Sequence, residues 1–274
     1  MYMSQNYKIV ETFTCSKSGK ENSNEDGIYI GKNFVAVIDG ATSKEPFSLN
    51  GKTGGQLARD LIKNKLDTFS GNEDANTVVL EIQAELVAFA KKHKIPQYSA
   101  SMVLYSRYYK EIWSVGDCQY YLNGDVQKNQ KRIDQVFSET RSIAIYALLS
   151  EGHTENDLLE NDLARKQLIP FLQLQKYLEN RKIKYGHCVF NGSCDVAEFP
   201  IDMVKVTVVP DNSEIVLASD GYPILKNTLS ESEKELKRIL SEDPLCYKEN
   251  CSTKGIKKGN VSFDDRTYVK FMVN

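Results

Sequence analysis

The sequence predicts an α+β fold, a sandwich of mainly antiparallel sheets whose outer faces are covered by helices. Three observations predict it. Strand-like and helix-like runs come in blocks (strands, two helices, strands, a helical stretch, strands, one helix, a last strand) rather than in the regular alternation of a doubly wound fold. One run, Phe34-Val35-Ala36-Val37-Ile38, is continuously apolar, as in a strand buried on both faces. Two strand-like runs also end abruptly on an aspartate followed by glycine.

The elements follow in order. Lys8 to Thr14 and Gly27 to Ile30 are rich in β-formers, and the Phe34 to Ile38 run stops at Asp39-Gly40. Two helices come next. In Gly54 to Leu66, Leu57, Leu61, Ile62 and Leu66 share one face; in Thr77 to Lys92, Val79, Ile82, Leu86 and Phe89 step by three and four, and Pro96 closes the helix. Strands resume at Met102 to Tyr109, Glu111 to Val115 and Gln119 to Leu122, with a turn at Asn123-Gly124. From about Lys131 to Asn180 the pattern is helical. Ile133, Val136, Phe137, Ile143 and Ala147 form one stripe, and Leu158, Leu159, Leu163, Leu168 and Leu172 another, which Pro170 should kink or split. Strands return between Lys184 and Ala218, where Val204, Val206 and Val208 alternate with polar neighbours. Ser230 and Glu233 suit a capping box for a helix through Leu240, and Thr267 to Val273 makes the last strand.

Composition narrows the class. The 274 residues are 41% hydrophobic and 26% charged, with a formal net charge of -2, so a sizeable core fits an ordinary globular surface. No clustered basic excess points to nucleic acid, and no run of about 18 apolar residues points to a membrane span. Met1 to Val10 is polar and unlike a signal peptide, so a cytoplasmic location is expected. The six cysteines form no CxxC pair and are expected to stay reduced. A zinc site from His187, Cys188 and Cys194 would match no common spacing. One domain over 1–274 is the economical organisation, with residues about 128–183 as a helical insertion.

The chemistry lies in the acidic residues beside strands. Asn24-Glu25-Asp26 precedes one; Asp39, Asp117 and Asp220 end others; Asp264-Asp265 opens the last. An ionised carboxylate at the end of an apolar strand is costly unless compensated, and a hard divalent cation compensates it well through oxygen ligands. A glycine after the aspartate allows its carbonyl to approach as well. Taken singly, an Asp-Gly pair is more often only a turn, as Gly124-Asp125 is expected to be. Two copies of strand-Asp-Gly with further flanking carboxylates argue for a gathered cation site.

In order and approximate separation, Asn24-Glu25-Asp26, Val35-Ala36-Val37-Ile38-Asp39-Gly40, Val115-Gly116-Asp117, Leu217-Ala218-Ser219-Asp220-Gly221 and Asp264-Asp265-Arg266-Thr267 resemble the metal-dependent type 2C (PPM) serine/threonine protein phosphatases. The resemblance is to a divergent, bacterial-like member. It implies a four-layer αββα sandwich binding two Mn2+ or Mg2+ ions, with a third in some members. By motif position it implies Asp39 as the bridging carboxylate, the Gly40 carbonyl beside it, Asp220 and Asp264 on the other ion, and Glu25 and Asp26 as ligands or supports. Asp117 stands where a third, weaker ion binds. Asp39, Asp220 and Asp264 thus carry the implied catalysis, in which cation-activated water hydrolyses a phosphoric monoester without a protein nucleophile. No GxSxG motif or convincing Cys–His pair offers one.

The chain departs from the family in places. Asp39-Gly40-Ala41-Thr42-Ser43 lacks the histidine that many relatives carry as a candidate general acid, and Gly54-Gly55 comes later, after an insertion. The phosphate-binding arginine has no aligned counterpart, and Lys20 is the nearest substitute. Arg141 and Arg165 are tempting phosphate clamps, yet arginines on amphipathic helices usually face solvent. The tyrosines near Trp113 suit strand packing better than base stacking. The expected substrate is a phosphorylated protein, with a small phosphorylated molecule as the other choice. A catalytically weak, phosphatase-like binding or regulatory module is the rival reading, favoured by the missing histidine and opposed by the three retained aspartates.

Overall fold

A computed structural model describes residues 7–42, 47–95 and 98–274, and its strands form two antiparallel sheets. The first sheet contains β1 (Tyr7–Cys15), β6 (Gln119–Leu122), β7 (Asp125–Lys128), β10 (Glu214–Ala218) and β11 (Arg266–Val273), in the order β1-β11-β10-β6-β7. The second contains β2 (Gly27–Ile30), β3 (Phe34–Gly40), β4 (Ser99–Ser106), β5 (Glu111–Val115) and β9 (Lys205–Val208), in the order β2-β3-β4-β5-β9, and the two-residue β8 (Phe190–Asn191) pairs with β4.

The continuously apolar run at β3 has the predicted cause. Phe34, Ala36 and Ile38 face the layer of α1 (Gly54–Leu66) and α2 (Ala75–His93), while Val35 and Val37 face the other sheet. β4 divides likewise, Met102 and Leu104 to the helices, Val103 and Tyr105 to the sheet interface. That interface is closed from the first sheet by Ile215, Leu217, Val269 and Phe271, at the period of two that a strand imposes. On the first sheet's outer face, Val216, Ala218 and Tyr268 pack with Tyr222, Leu225 and Leu229, the first residue of α6 (Leu229–Glu242). The order of layers is helix, sheet, sheet, helix. The sandwich is αββα.

The middle of the chain forms α3 (Arg132–Ser150), α4 (Glu155–Glu160) and α5 (Leu163–Leu174). Ile145, Leu148, Leu158 and Ala164 share a small core with Leu245 and Tyr247, which come from the segment after α6.

Several local expectations need correction. Pro170 lies inside α5 without ending it; the break falls at Asn161-Asp162, where the Asp162 side chain caps α5 by accepting from the Arg165 N–H at 2.8 Å. α6 is capped by Thr228, whose hydroxyl accepts from the Glu231 N–H at 3.2 Å, not by a Ser230–Glu233 box, because Glu233 is engaged by Arg266. β4 ends at Ser106 rather than Tyr109, since Lys110 turns the chain with a φ of 51°. Between Lys184 and Ala218 only β8, β9 and β10 are strands, and Val206 and Val208 are exposed on edge strand β9. Pro96 and Ser43 lie outside the described residues; α2 is stopped by Lys94 in the left-handed region, φ 53°. No helix among the described residues is long and apolar enough to cross a membrane.

Candidate metal centre

Strand ends from both sheets open on one cleft of about 590 Å3. β3 delivers Asp39, held opposite Ser101 of β4 by strand pairing. The turn after β5 delivers Asp117, and the end of β10 delivers Asp220. One carboxylate oxygen from each of Asp39, Asp117 and Asp220 lies within 4.8 Å of the others. The site thus straddles the two sheets.

Two glycines are required by close approach. At Gly40 a Cβ would stand 2.4 Å from the Gly55 carbonyl oxygen and 2.6 Å from that of Glu25, so nothing larger lets β3 meet the start of α1. At Gly116, φ is +86° and a Cβ would stand 2.1 Å from the Ser101 hydroxyl. That hydroxyl donates to Asp117 at 2.5 Å. Gly116→Ala is therefore expected to cost about 1–3 kcal/mol in urea unfolding, through left-handed strain and displacement of Ser101. An unchanged midpoint would show that the turn is not needed.

The carboxylates fall into two groups. The Asp39 and Asp220 carboxylates lie within 4.8 Å of each other, and both are pushed well above the usual carboxylate range. Desolvation inside the cleft is the main cause for each, although Asp220 stays exposed at the cleft surface. For Asp39 the charges of Asp26, Asp117 and Asp264 add to it; for Asp220 those of Asp39, Asp117 and Asp264 do, against an opposing pull from Lys254. Asp26 is only 3% exposed, and no donor meets hydrogen-bond geometry at either of its oxygens. Burial, reinforced by Asp265 and Asp264 and partly offset by the Ser219 and Thr267 hydroxyls, pushes it up to about 8.

The second group is tied down. Glu25 accepts from the Thr42 hydroxyl at 2.5 Å and the Thr53 hydroxyl at 2.6 Å. Asp265 accepts from the backbone N–H groups of Lys17 and Glu25, both at 2.8 Å, and so joins the last strand's entry to the Asn24-Glu25-Asp26 turn. Asp264 pairs with Lys17 at 3.1 Å and with Lys254; burial would raise its pKa, but Lys254 and Lys17 outweigh this and hold it well below the usual range. Asp117 accepts from Lys131 at 2.6 Å, and burial there is outweighed by Lys131 and Ser101.

An all-oxygen donor set with an orphaned buried carboxylate and two crowded aspartates fits a hard divalent cation. In its absence the Asp26 proton is linked to stability. The folded chain keeps a proton that the unfolded chain, with an ordinary pKa of 3.8, releases. Metal-free stability from this group therefore falls as pH rises from about 4 through 8. Asp26→Asn is expected to flatten that decline in urea midpoints measured at pH 5 and pH 8 with EDTA. A slope equal to wild type would refute it.

Scans of the sequence against protein-family models and against curated proteins found no match. Solved structures matched in number, 125 chains in all. The catalytic domain of the serine/threonine protein phosphatase PstP, crystallised with 2 manganese ions, superposes with a TM-score of 0.50 at 15% identity, over 98% of this chain and 99% of that chain. This chain has the PPM phosphatase fold. PppA of Pseudomonas aeruginosa gives a TM-score of 0.49 at 13% identity over 98% of each chain, and RsbX with magnesium 0.47 at 12% over 98% of this chain and 100% of that chain. At such identities the likeness concerns the fold alone.

Within this phosphatase fold, the residues singled out in the sequence are distributed unevenly. Asp39, Gly40, Asp117, Asp220 and Asp264 line the cleft; Glu25 and Asp26 are buried beside it. Lys20 is exposed outside it, and Lys17, three residues earlier, reaches Glu25, Asp264 and Asp265 instead. Burial disfavours the Lys17 charge, but Asp264, Asp265 and Glu25 outweigh this and raise its pKa. Lys131, Lys254 and Ser101 were also invisible in the sequence, because no spacing ties them to the aspartates they meet. The zinc reading fails: the only metal-capable group found among the described residues is Asp39, Asp117 and Asp220, and all six cysteines are free. Arg141 is fully buried rather than solvent-facing.

Proposed function

We propose that the chain is a Mn2+- or Mg2+-dependent phosphoric monoester hydrolase acting on phosphoserine or phosphothreonine in proteins. The observation that carries this is the convergence of Asp39 and Asp220 from opposite sheets, with the unpartnered Asp26 carboxylate buried behind them. The shared fold with PstP supports it. When bound, such cations acidify a water for in-line attack on phosphorus and neutralise the phosphoryl oxygens.

The chain's own residues do the rest. Asp39, Asp220 and the Gly40 carbonyl hold the cations, with Asp26 as the deeper ligand. Glu25, fixed by Thr42 and Thr53, and Asp265, fixed by two backbone N–H groups, keep these strand ends in register. Asp264 joins the ligand set only by exchanging Lys254 for a cation. Lys254→Met is therefore expected to tighten Mn2+ binding by roughly tenfold, read by calorimetric titration. Unchanged or weaker binding would mean that Asp264 is no ligand.

His187 also lines the cleft, but burial and the Lys131 charge push its pKa down to about 4. It is neutral at pH 7 and does not replace the missing acidic histidine; water supplies the leaving-group proton. Residues 128–183 act in this proposal as an insertion in a single domain, narrowing the cleft through Gln130, Lys131, Asp134 and Glu179. A cytoplasmic location suits the free cysteines.

The test is hydrolysis of p-nitrophenyl phosphate and of a phosphothreonine peptide. Mn2+-dependent release of inorganic phosphate from both, abolished by EDTA, is expected. Hydrolysis of the small ester alone would move the substrate class to small molecules. Binding of a protein partner without hydrolysis of either would favour the regulatory-module reading.

A further inference from the structure

Lys131 occupies the N-cap position of α3, yet its side chain makes no capping bond. Lysine is a poor choice there, where a short oxygen-bearing side chain would satisfy the first N–H groups. The ammonium instead turns into the cleft and meets Asp117 Oδ2 at 2.6 Å. The pair is largely sheltered, with side-chain exposures of 19% for Lys131 and 13% for Asp117. The other oxygen of Asp117 is also taken, by the Ser101 hydroxyl at 2.5 Å.

Asp117 is therefore unlike the two carboxylates whose oxygens lie within 4.8 Å of its own. Among the described residues no lysine forms an ion pair with Asp39 or Asp220, whereas Asp117 already holds a full positive charge at contact distance. A divalent ion seated on Asp117 would face that ammonium across a sheltered gap, where like charges repel strongly. The start of α3 adds the positive end of a 19-residue helix on the same side.

We propose that Lys131 is a tethered cation, delivered by the helical insertion, that withdraws Asp117 from the divalent-ion ligand set and confines bound metal to the Asp26, Asp39 and Asp220 side of the cleft. The proposal rests on the cation-binding reading above and deepens it. The insertion in this view builds one of the site's positive charges into the chain itself.

The experiment counts Mn2+ bound to the full chain by equilibrium dialysis, with the paramagnetic resonance signal of free Mn2+ as readout and no substrate present. Asp117→Asn is expected to bind as many ions as wild type, each within about twofold in affinity. Lys131→Met, checked for native circular dichroism, is expected to bind one further ion, and the Lys131→Met/Asp117→Asn pair to lose it again. Lys131→Gln serves if the methionine variant does not fold, and Asp117→Asn requires no change at Lys131 at all. Loss of an ion in Asp117→Asn, or no gain in both Lys131 variants, overturns the proposal while leaving the metal-dependent reading intact. A wild-type chain that binds no Mn2+ overturns both.

Discussion

Asp39→Asn is expected to lower Mn2+-dependent hydrolysis of p-nitrophenyl phosphate by at least about a hundredfold in kcat/KM, since even outer partners of a metal ligand are worth 10–100-fold. Asp39 is the carboxylate on which the others converge. It lies within 4.8 Å of the Asp220 carboxylate and feels the charges of Asp26, Asp117 and Asp264. Asparagine keeps the shape and the strand pairing with Ser101 but removes a carboxylate charge that would hold a divalent cation. The fold should survive, because a crowded carboxylate becomes a neutral amide. The same substitution is expected to erase the Mn2+-induced rise in melting temperature. Equal hydrolysis by wild type and variant would sink the assignment of the centre.

The second large effect is expected far from the carboxylates. Arg141 is 0% exposed and holds the segment after α6 against the helical insertion. Its guanidinium donates to the carbonyls of Leu245 at 2.6 Å and Ser252 at 3.2 Å, and pairs with Asp162 at 2.6 Å. Arg165 donates to the carbonyl of Thr253, and the next residue is Lys254, which reaches Asp264. Arg141→Met removes the buried partner of an ion pair and leaves carbonyls without donors. A loss of about 3–5 kcal/mol in urea unfolding is expected. Weaker metal-dependent turnover should accompany it, because the strap that carries Lys254 comes loose. A loss under about 1 kcal/mol would mean that the strap is held by its apolar contacts, Leu245 and Tyr247, instead.

Much of this was legible in the sequence, for reasons specific to each element. β3 and α1 were readable because their patterns are set by two-sided and one-sided burial, and Gly54–Leu66 begins and ends where the periodicity does. Asp39 and Asp220 stood out because an apolar strand ending in Asp-Gly is costly without a partner. Arg141 was misjudged because amphipathic helix spacing marks a polar face but does not reveal that residues 245–252 fold over it. The lysine partners were hidden for the same reason. Lys131 lies 14 residues beyond Asp117, and Lys17 lies 247 residues before Asp264, separations that no local pattern encodes. The α6 cap was displaced by two residues because Glu233 had a stronger partner in Arg266 than a backbone N–H could be.

Because Asp39 belongs to one leaf of the sandwich and Asp220 to the other, an ion between them would act as a rivet. The two leaves are otherwise joined in their interior by side chains such as Val37, Leu217 and Phe271, contacts that hold without directing. A bond from strand end to strand end is directional and sits at the open rim, where the leaves part first. Divalent-ion concentration would then tune how often that rim breathes, and with it the width of the cleft.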